Sequence, residues 1–163
     1  MKPVYIIVAC SENRIIGKEG GLPWSIPEDT NYYRNKVKGG VVIEGRRIFD
    51  AGGDEHTDSD TIVLSRDPTF SPKGVLSAVS LPLALELAQG LEGDGPIWIC
   101  GGQSIYQESL PLADKLYLTQ IHAEVEGDTS FPEWEEHFPV ELERRESSDE
   151  NYRYTFLVLG PKD

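Results

Sequence analysis

A single carboxylate, that of Asp29, follows a loop that is suited to covering a ligand. From residue 15 to residue 28 the chain carries three glycines, two prolines and the indole of Trp24. Glycine permits positive φ angles and proline fixes φ, so such a loop can approach a ligand closely and keep a defined course. A carboxylate at the end of this loop could bind and orient a polar ligand through charge-assisted hydrogen bonds. This stretch is therefore the first candidate for a functional site.

Asp29 falls in the first turn of a helix that is predicted over residues 26–36. Ser25 and Glu28 have the spacing of a capping box, which marks a helix start. Residues three and four apart share a helix face, so Asp29 would lie beside one of the two tyrosines that follow it. The simpler interpretation is that Asp29 only complements the positive end of the helix, as acids in first turns often do.

Arginines follow the ends of two predicted strands. Arg46 and Arg47 come after the apolar run at residues 41–43, and Arg66 comes after the run at residues 61–64. Ligands of open α/β sheets bind at the carboxyl ends of the parallel strands, so these arginines predict an anion site. This anion site would be a local cluster of positive charge, because the net charge of the whole chain is −13. The alternative is that they are surface charges paired with the abundant acids.

Glycine turns also follow two of the predicted strands. Gly45 and the pair Gly101-Gly102 each lie between a strand and a helix. Free backbone N–H groups and the helix dipole favour phosphate at such a turn. The chain has no G-x-G-x-x-G sequence, so each turn could equally be a plain tight turn. It is the shared position of the turns and the arginines that favours a phosphate-bearing ligand.

The sequence shows no constellation for nucleophilic catalysis or metal binding. Cys10 and Cys100 are predicted to be reduced thiols, and the three histidines are scattered without ligand spacing, so no metal site is predicted. No serine or cysteine is paired with a histidine, and no G-x-S-x-G or Walker sequence occurs. Phosphate anchors, one acid and aromatic residues without a nucleophile suit hydride transfer from a nicotinamide cofactor, because that cofactor carries the reaction.

The elements that would position these residues alternate between strands and helices. Apolar, β-branched runs predict strands buried on both faces, and the helices between them imply right-handed parallel crossovers. One helix, predicted over residues 80–88, has Leu83, Leu87 and Leu91 on one face. The last two strands are predicted to pair antiparallel. We expect an α/β fold of three layers, α/β/α, with a central, mostly parallel mixed sheet of about eight strands and an antiparallel C-terminal edge.

Length and charge limit the remaining possibilities. The 163 residues predict one domain over residues 1–163. The net charge of −13 argues against nucleic acid and anionic membranes as partners. No apolar run is long enough to span a bilayer, and the first residues lack the layout of a signal peptide. We expect a cytoplasmic monomer that binds a small molecule.

In order and spacing, these residues resemble the dihydrofolate reductase family over nearly the whole chain. The matching segments are Ile16-Gly17, Leu22-Pro23-Trp24, Asp29, Gly45-Arg46, Leu64-Ser65, Gly101-Gly102 with Tyr106, Leu118-Thr119 and residues 124–129. The resemblance implies NADPH-dependent reduction of dihydrofolate to tetrahydrofolate by hydride transfer to the pterin. It implies NADPH rather than NADH because a 2′-phosphate needs the positive charge of the arginines.

The resemblance also implies roles for individual residues. Asp29 would bind the pterin and promote its protonation, Thr119 would support Asp29, and Trp24 would complete the catalytic set on a loop that closes over the nicotinamide. The substrate-binding residues would be Ile7, Ala9, Asp29, Thr30, Tyr33, Cys100 and Thr119. The cofactor-binding residues would be Ala9, Ile16, Gly17, Leu22, Gly45, Arg46, Arg47, Ile48, Leu64, Ser65, Arg66, Gly101, Gly102, Gln103, Ser104, Ile105 and Tyr106.

Three positions depart from the family pattern. Ser59 replaces the arginine that usually grips the glutamate carboxylate of folate, Ile48 replaces a threonine, and Thr30 replaces an apolar residue. The departure at Ser59 favours an alternative in which a reductase of the same fold acts on another pterin or on a riboflavin-pathway pyrimidine. A catalytically inactive binding module is the alternative from a different class.

Overall fold

Along the first two thirds of the chain each helix follows one or two strands, close to the predicted alternation, with β2 inside the stretch predicted as a loop. The structure, a computed structural model, describes residues 1–51 and 59–162. Its strands are β1 (Val4–Cys10), β2 (Ile15–Gly17), β3 (Val41–Gly45), β4 (Asp60–Leu64), β5 (Leu76–Ala78), β6 (Ile97–Ile99), β7 (Lys115–Ile121), β8 (Thr129–Ser130), β9 (Val140–Ser148) and β10 (Arg153–Gly160). Its helices are α1 (Pro27–Val37), α2 (Arg46–Asp50), α3 (Leu81–Gly90) and α4 (Gln103–Ser109).

The central sheet has eight strands in the order β5-β4-β3-β6-β1-β7-β10-β9, and β2 pairs with β8 outside it. Every neighbouring pair from β5 to β7 is parallel, whereas β10 is antiparallel to both β7 and β9. The predicted mixed sheet with its closing antiparallel pair is therefore confirmed. Because β9 is antiparallel to β10, the edge strand β9 runs in the same direction as β7.

Helices cover both faces of the sheet, which explains why the central strands are apolar at successive positions. On one face, Ile6 and Val8 of β1 belong to a core cluster that also contains buried residues of α3 and α4. On the other face, Ile7 packs in a cluster with Val37 of α1. Successive residues of a strand point to opposite faces, so β1 needs apolar side chains on both. The predicted three layers, α/β/α, are confirmed.

The face that α3 turns toward the sheet differs from the predicted one. Leu83 and Leu87 are 45% and 42% exposed, so the leucine face predicted for this helix is not the face that packs against the sheet. Leu91 is partly buried and packs against the core. The buried face consists of residues at helical spacing that are at most 2% exposed: Leu81, Ala84 and Ala88. The two alanines let α3 lie close to the sheet, and this close approach leaves the leucines on the outer side.

The start of α1 also differs from the prediction. Its N-cap is Ile26, and no side chain caps the helix, so the predicted capping box of Ser25 and Glu28 is wrong. The Glu28 carboxylate instead accepts hydrogen bonds from side chains of β9 and β10. Pro27 is the first residue of the helix, where its missing N–H group removes one donor that would otherwise lack a partner. Asp29 remains in the first turn.

The strand order creates a crevice between the carboxyl ends of β6 and β1. The strands β6 and β1 are neighbours in the sheet. The connection that leaves β1 leads to β3 on one side of this pair, whereas the connection that leaves β6 leads to β7 on the other side, so the two connections run in opposite directions. The β1–β6 pairing ends at Ile6 and Ile99, whereas the β1–β7 pairing continues to Cys10. Open α/β sheets bind ligands at such a reversal point.

We expect substitution of Gly40, just before β3, to destabilise the fold. A Cβ at Gly40 would lie 2.5 Å from the carbonyl oxygen of Pro96 and 3.0 Å from Cδ1 of Trp98. Gly40→Ala should therefore lower the free energy of unfolding by roughly 1–3 kcal/mol, the usual cost of overpacking. Urea unfolding measures this difference.

Gly90→Ala provides the matched control, because a Cβ at Gly90 would meet nothing within 4 Å. Alanine is also favoured over glycine in a helix, by roughly 0.5–1 kcal/mol. Equal stability changes in the two variants would contradict the close approach at Gly40.

Candidate functional site

The Asp29 carboxylate faces the sheet and is hydrogen-bonded to β7. Thr119 Oγ1 donates a hydrogen bond of 2.7 Å to Asp29 Oδ1. Burial raises the pKa of Asp29 above its ordinary value, the hydrogen bond from Thr119 lowers this pKa, and the charge of Glu28 raises it. The acid therefore binds a proton more readily than an exposed aspartate does. This geometry goes beyond a charge that only complements a helix end.

The β strands place further predicted substrate residues on the same face as Thr119. Ala9 of β1 is the direct cross-strand neighbour of Thr119. Ile7 lies two residues before Ala9 and packs in a cluster with Tyr33 and Cys100. The pKa of Tyr33 is raised, chiefly by burial and further by Cys100. The structure thus brings these five predicted substrate residues to one side of the sheet, beside α1.

Thr30, the remaining predicted substrate residue, lies differently. Its side chain is exposed, and its Oγ1 is 3.4 Å from the carbonyl oxygen of Ile26. The hydroxyl therefore bonds the backbone of its own helix rather than the carboxylate of Asp29.

Trp24 supplies a buried donor beside α1. Its side chain is 6% exposed and belongs to a cluster with Ile26, Ile121 and Phe156. The indole Nε1 has no hydrogen-bond partner among the residues that the structure describes. A buried N–H group without an acceptor is costly, so an oxygen or nitrogen of a bound ligand or of water would be stabilising here. Leu22, two residues earlier on the same loop, is 58% exposed.

Two glycine turns meet at the carboxyl ends of β3 and β6. The backbone N–H of Gly45 donates to the carbonyl oxygen of Gly101 at 2.8 Å. Gly101 has a φ of +107°, and a Cβ there would lie 3.0 Å from the Tyr106 ring and 3.1 Å from Ile48 Cδ1. Only glycine suits both the φ angle and the space. The helices that begin at Gly45 and Gly102 have no side-chain cap, which leaves first-turn N–H groups available to a ligand.

The other predicted cofactor-binding residues near these turns either pack against neighbouring residues or are exposed to solvent. Tyr106 is buried, and its hydroxyl donates to the carbonyl oxygen of Ile7 at 2.9 Å. A Cβ at Gly45 would lie 3.1 Å from Ile105 Cδ1, so Ile105 packs directly beneath this turn. Gln103 Nε2 lies 3.5 Å from the hydroxyl of Ser130. Ser104 is exposed, and Ile16 and Gly17 form part of β2.

The predicted basic cluster forms at the adjacent ends of β3 and β4. Gly45 and Leu64 are cross-strand neighbours, so the residues that follow them lie close together. Arg46 bonds Ser65 Oγ at 3.5 Å and lies with its guanidinium 4.2 Å from the centre of the Phe70 ring. The side chains of Arg47 and Arg66 are exposed and form no ion pair within the described parts of the chain.

Two acids flank Arg46 in this cluster. Its Nε lies 3.3 Å from Asp50 Oδ2, and its Nη1 lies 3.7 Å from Asp67 Oδ2. A surface groove of about 670 Å³ begins at Ser65 and Asp67 and continues over the exposed side of α3. Within residues 1–51 and 59–162, the alternative of arginines paired with acids therefore holds for Arg46 and not for Arg47 or Arg66.

Ser59, for which the resemblance implies the loss of an arginine, uses its hydroxyl in a hydrogen bond within the fold. Ser59 Oγ donates a hydrogen bond of 2.8 Å to the carbonyl oxygen of Val37, at the end of α1. The acidic residues that precede it in the sequence lie at positions 52–58, outside the described residues. Ser59 therefore links β4 to α1 and presents no positive charge.

Cysteine and metal chemistry have no structural basis in the described residues. Cys10 and Cys100 form no disulfide bond, and burial raises the pKa of Cys10 to about 12, so its thiol stays protonated at neutral pH. No group of three or more histidine, cysteine and acidic side chains could hold a metal ion in residues 1–51 and 59–162.

Two residues of this region were not predicted to take part in it. Phe70 lies under Arg46, and Glu28 was interpreted as half of a capping box rather than as a contact to the hairpin of β9 and β10. Neither contact leaves a local signal in the sequence, because the partners are distant along the chain. The adjacency of two acids at the start of α1 was the one clue that Glu28 has a separate task.

The mixed α/β sheet, with glycine turns and arginines at the ends of its strands and an acid on the adjacent helix, is typical of one class of protein, the nucleotide-dependent α/β oxidoreductases. The family model of dihydrofolate reductase matches residues 3–160. The chain belongs to the dihydrofolate reductase family, which confirms the resemblance seen in the sequence.

Individual relatives match the chain over nearly its whole length. It is 38% identical over 161 residues to a dihydrofolate reductase of Haemophilus influenzae, an alignment that covers 96% of this chain and 98% of that protein. It is 37% identical over 160 residues to dihydrofolate reductase type 3 of Salmonella typhimurium, covering 96% and 97% of the two chains. The solved structure of dihydrofolate reductase from Enterococcus faecalis, complexed with NADP(H) and RAB-propyl, matches with a TM-score of 0.89 and 32% identity over 99% of this chain and 97% of that chain.

We expect Asp29→Asn to stabilise the folded protein at neutral pH. The pKa of Asp29 is raised on folding, so the ionised carboxylate opposes folding at every pH above its folded pKa. This cost disappears once the pH falls below the ordinary value of 3.8, where the wild-type side chain is neutral in both states. The gain in unfolding free energy should therefore be present at pH 7 and shrink toward acid pH, as thermal unfolding across a pH series would measure.

The exposed Asp94 provides the control, because Asp94→Asn removes the same charge at the surface. A loss of stability in Asp29→Asn at neutral pH would contradict the destabilising effect of the buried charge.

Proposed function

We propose that this chain is an NADPH-dependent dihydrofolate reductase, which converts dihydrofolate to tetrahydrofolate by hydride transfer to the pterin. The observation that carries the proposal is the Asp29 carboxylate, partly buried beside the crevice and hydrogen-bonded to Thr119. Membership of the dihydrofolate reductase family supports it. So does the similarity to a structure that contains NADP(H).

The crevice residues fit a dinucleotide that carries an additional phosphate. The uncapped N–H groups at the starts of α2 and α4 would hold the pyrophosphate, and Gly101 would let the cofactor approach the backbone closely. The adenosine phosphates would be held by residues at the ends of β3 and β4: Arg46, Arg47, Ser65 and Arg66. When bound, NADPH supplies the hydride.

Asp29 would orient the pterin and favour its protonation. Its Oδ1 is engaged by Thr119, so its Oδ2 is left to face the ligand. A carboxylate that binds an amino group and a ring nitrogen in two places fixes the ring and stabilises positive charge on it. Because the pKa of Asp29 is raised, Oδ2 can also carry a proton at a higher pH than an exposed aspartate can.

The other predicted site residues would exclude water and complete the polar contacts. Trp24 Nε1 is a buried donor that would bond the ligand or one ordered water between them. The exposed Leu22 would turn inward when the loop from Gly17 to Trp24 closes over the nicotinamide. Ile7, Ala9 and the remaining residues of the sheet would form the apolar wall.

We further propose that residues 1–163 form one dihydrofolate reductase domain that acts as a cytoplasmic monomer without nucleic-acid partners. The net charge of −13 would repel a phosphate backbone. No helix in the described parts of the chain is both long enough and apolar enough to cross a membrane.

Asp29→Asn should abolish most of the reductase activity. We expect kcat for dihydrofolate to fall roughly 10²- to 10⁴-fold, the usual range for loss of an acid–base group. The Kd for NADPH, measured by fluorescence titration, should stay close to that of the wild type, because asparagine keeps the shape of the pocket. The control Asp94→Asn should retain activity. Undiminished turnover in Asp29→Asn would rule out the proposed role of Asp29.

The substrate can be tested separately, because Ser59 offers no positive charge to the glutamate tail of folate. If no positive charge binds the glutamate tail at Ser59, the KM for dihydrofolate and the KM for a dihydropterin without the tail should differ by less than about tenfold. One charge-assisted hydrogen bond of roughly 1.5 kcal/mol would already produce that factor. A much stronger preference for dihydrofolate would show that another group replaces the missing arginine, whereas a preference for the tail-less pterin would favour the alternative substrate.

A further inference from the structure

Glu28, the neighbour of Asp29, is bound by three side chains of the hairpin formed by β9 and β10. Its Oε1 accepts hydrogen bonds from Ser147 Oγ at 2.5 Å and from Tyr154 OH at 2.8 Å. Its Oε2 accepts a hydrogen bond from Arg145 Nη1 at 2.9 Å. Three donors on one carboxylate are more than a solvated surface charge requires. The hairpin therefore holds the first turn of α1 in place.

The register of the sheet shows why Glu28 and Asp29 reach different strands. Thr119 of β7, Phe156 of β10 and Arg145 of β9 are direct neighbours in one row across three strands. Tyr154 and Ser147 are direct neighbours two residues along β10 and β9, so they lie on the same face as that row.

The first turn of α1 lies across these rows. Asp29 contacts Thr119 at one end of the first row, and Glu28 contacts Arg145 at the other end. Phe156 fills the space between them, with its ring 4.3 Å from the Arg145 guanidinium and 4.4 Å from the ring of Tyr32 of α1.

We propose that Glu28 is a positioning residue for Asp29: it fixes the first turn of α1 to the hairpin so that Asp29 stays on Thr119, and it places a second negative charge beside Asp29. This inference rests on the proposed function, because Asp29 is the residue that would bind the pterin. Glu28 itself contacts no reacting group and acts through its neighbour.

The charge of Glu28 is well suited to this task. Hydrogen bonds from Ser147, Arg145 and Tyr154 lower the pKa of Glu28 to about 2, so Glu28 is ionised at neutral pH. The charge of Glu28 raises the pKa of Asp29.

The groups that face the two acids come from five elements. Asp29 faces Thr119 of β7, and it interacts electrostatically with Tyr32 of α1 and Tyr106 of α4. Glu28 faces Arg145 and Ser147 of β9 and Tyr154 of β10. Arg145 is the one cation in this set, and its pairing with Glu28 reduces the negative field at Asp29.

Two variants of the pair should shift the pKa of Asp29 in opposite directions. Glu28→Gln removes the negative charge and keeps an acceptor oxygen, so the pKa of Asp29 should fall. Arg145→Gln removes the compensating positive charge and leaves Glu28 ionised, so the pKa of Asp29 should rise. Both shifts can be measured by ¹³C NMR titration of aspartate carboxyls, with the Asp29 signal identified by its loss in Asp29→Asn. The exposed Glu136, changed to glutamine, provides the control for loss of a distant charge.

Activity separates the positioning effect from the charge effect. Glu28→Ala removes all three hydrogen bonds and should lower kcat at least about tenfold, since displacements of about 1 Å can cost far more. Glu28→Gln should recover most of kcat, with its pH–rate profile moved in the same direction as the pKa of Asp29.

If Glu28 had a purely structural role, every variant of Glu28 and Arg145 would lower the unfolding temperature. The pKa of Asp29 would then stay unchanged, or it would move in the same direction in Glu28→Gln and in Arg145→Gln. That result would overturn the proposal. If the wild-type protein failed to reduce dihydrofolate, the proposed function would fall, while the NMR titration would still decide whether Glu28 and Arg145 control Asp29.

Discussion

The hydrogen bond between Thr119 and Asp29 joins the helix that carries the acid to the centre of the sheet. Asp29 lies where burial opposes its negative charge, so the fold must hold it there through other interactions. Thr119 is 2% exposed and sits in the middle of a row of cross-strand neighbours that extends from β1 to β9. The acid is therefore fixed to a buried residue of the central sheet. A site that must keep an unfavourable charge in place benefits from such support.

The charge distribution sets the conditions under which an anionic cofactor can bind. The net charge of −13 produces a field that opposes the approach of a phosphate. Asp50 and Asp67 also engage Arg46, so part of the positive charge at the ends of β3 and β4 is already compensated. In the proposed site, binding would then depend on short-range contacts with Arg47, Arg66 and the backbone N–H groups of two helix starts. Such contacts act within a Debye length of about 8 Å at physiological salt.

Much of this arrangement follows from local sequence pattern, because buried strands are recognisable from apolar runs. The runs that became β1, β3, β4 and β6 predicted both the parallel sheet and the residues that follow each strand. Once those residues are assigned to strand ends, the sheet itself brings the arginines and glycine turns together. The pairing of Thr119 with Asp29 could be expected only from the family resemblance, since 90 residues separate the two side chains.

The errors arose where packing overrides local preference. Leucines dominate the hydrophobicity of α3, yet Ala84 and Ala88 face the sheet because small side chains allow the helix a closer approach. Ser25 and Glu28 have the spacing of a capping box, yet the donors of the hairpin bind the Glu28 carboxylate more completely than one backbone N–H would. The register of the two hairpin strands decides this outcome, and no local pattern specifies that register.

Two adjacent acids on one helical turn thus acquire opposite properties from their surroundings. Three donors stabilise the ionised form of Glu28 and lower its pKa to about 2, whereas burial raises the pKa of Asp29. An acid held permanently charged suits an anchor, and an acid whose charge is disfavoured suits a group that binds or releases a proton. The two residue types are chemically almost identical, so the division of tasks comes from position alone. The sheet register creates this difference, because β7 offers the hydroxyl of Thr119 to Asp29, whereas two adjacent rows of β9 and β10 offer Arg145, Ser147 and Tyr154 to Glu28.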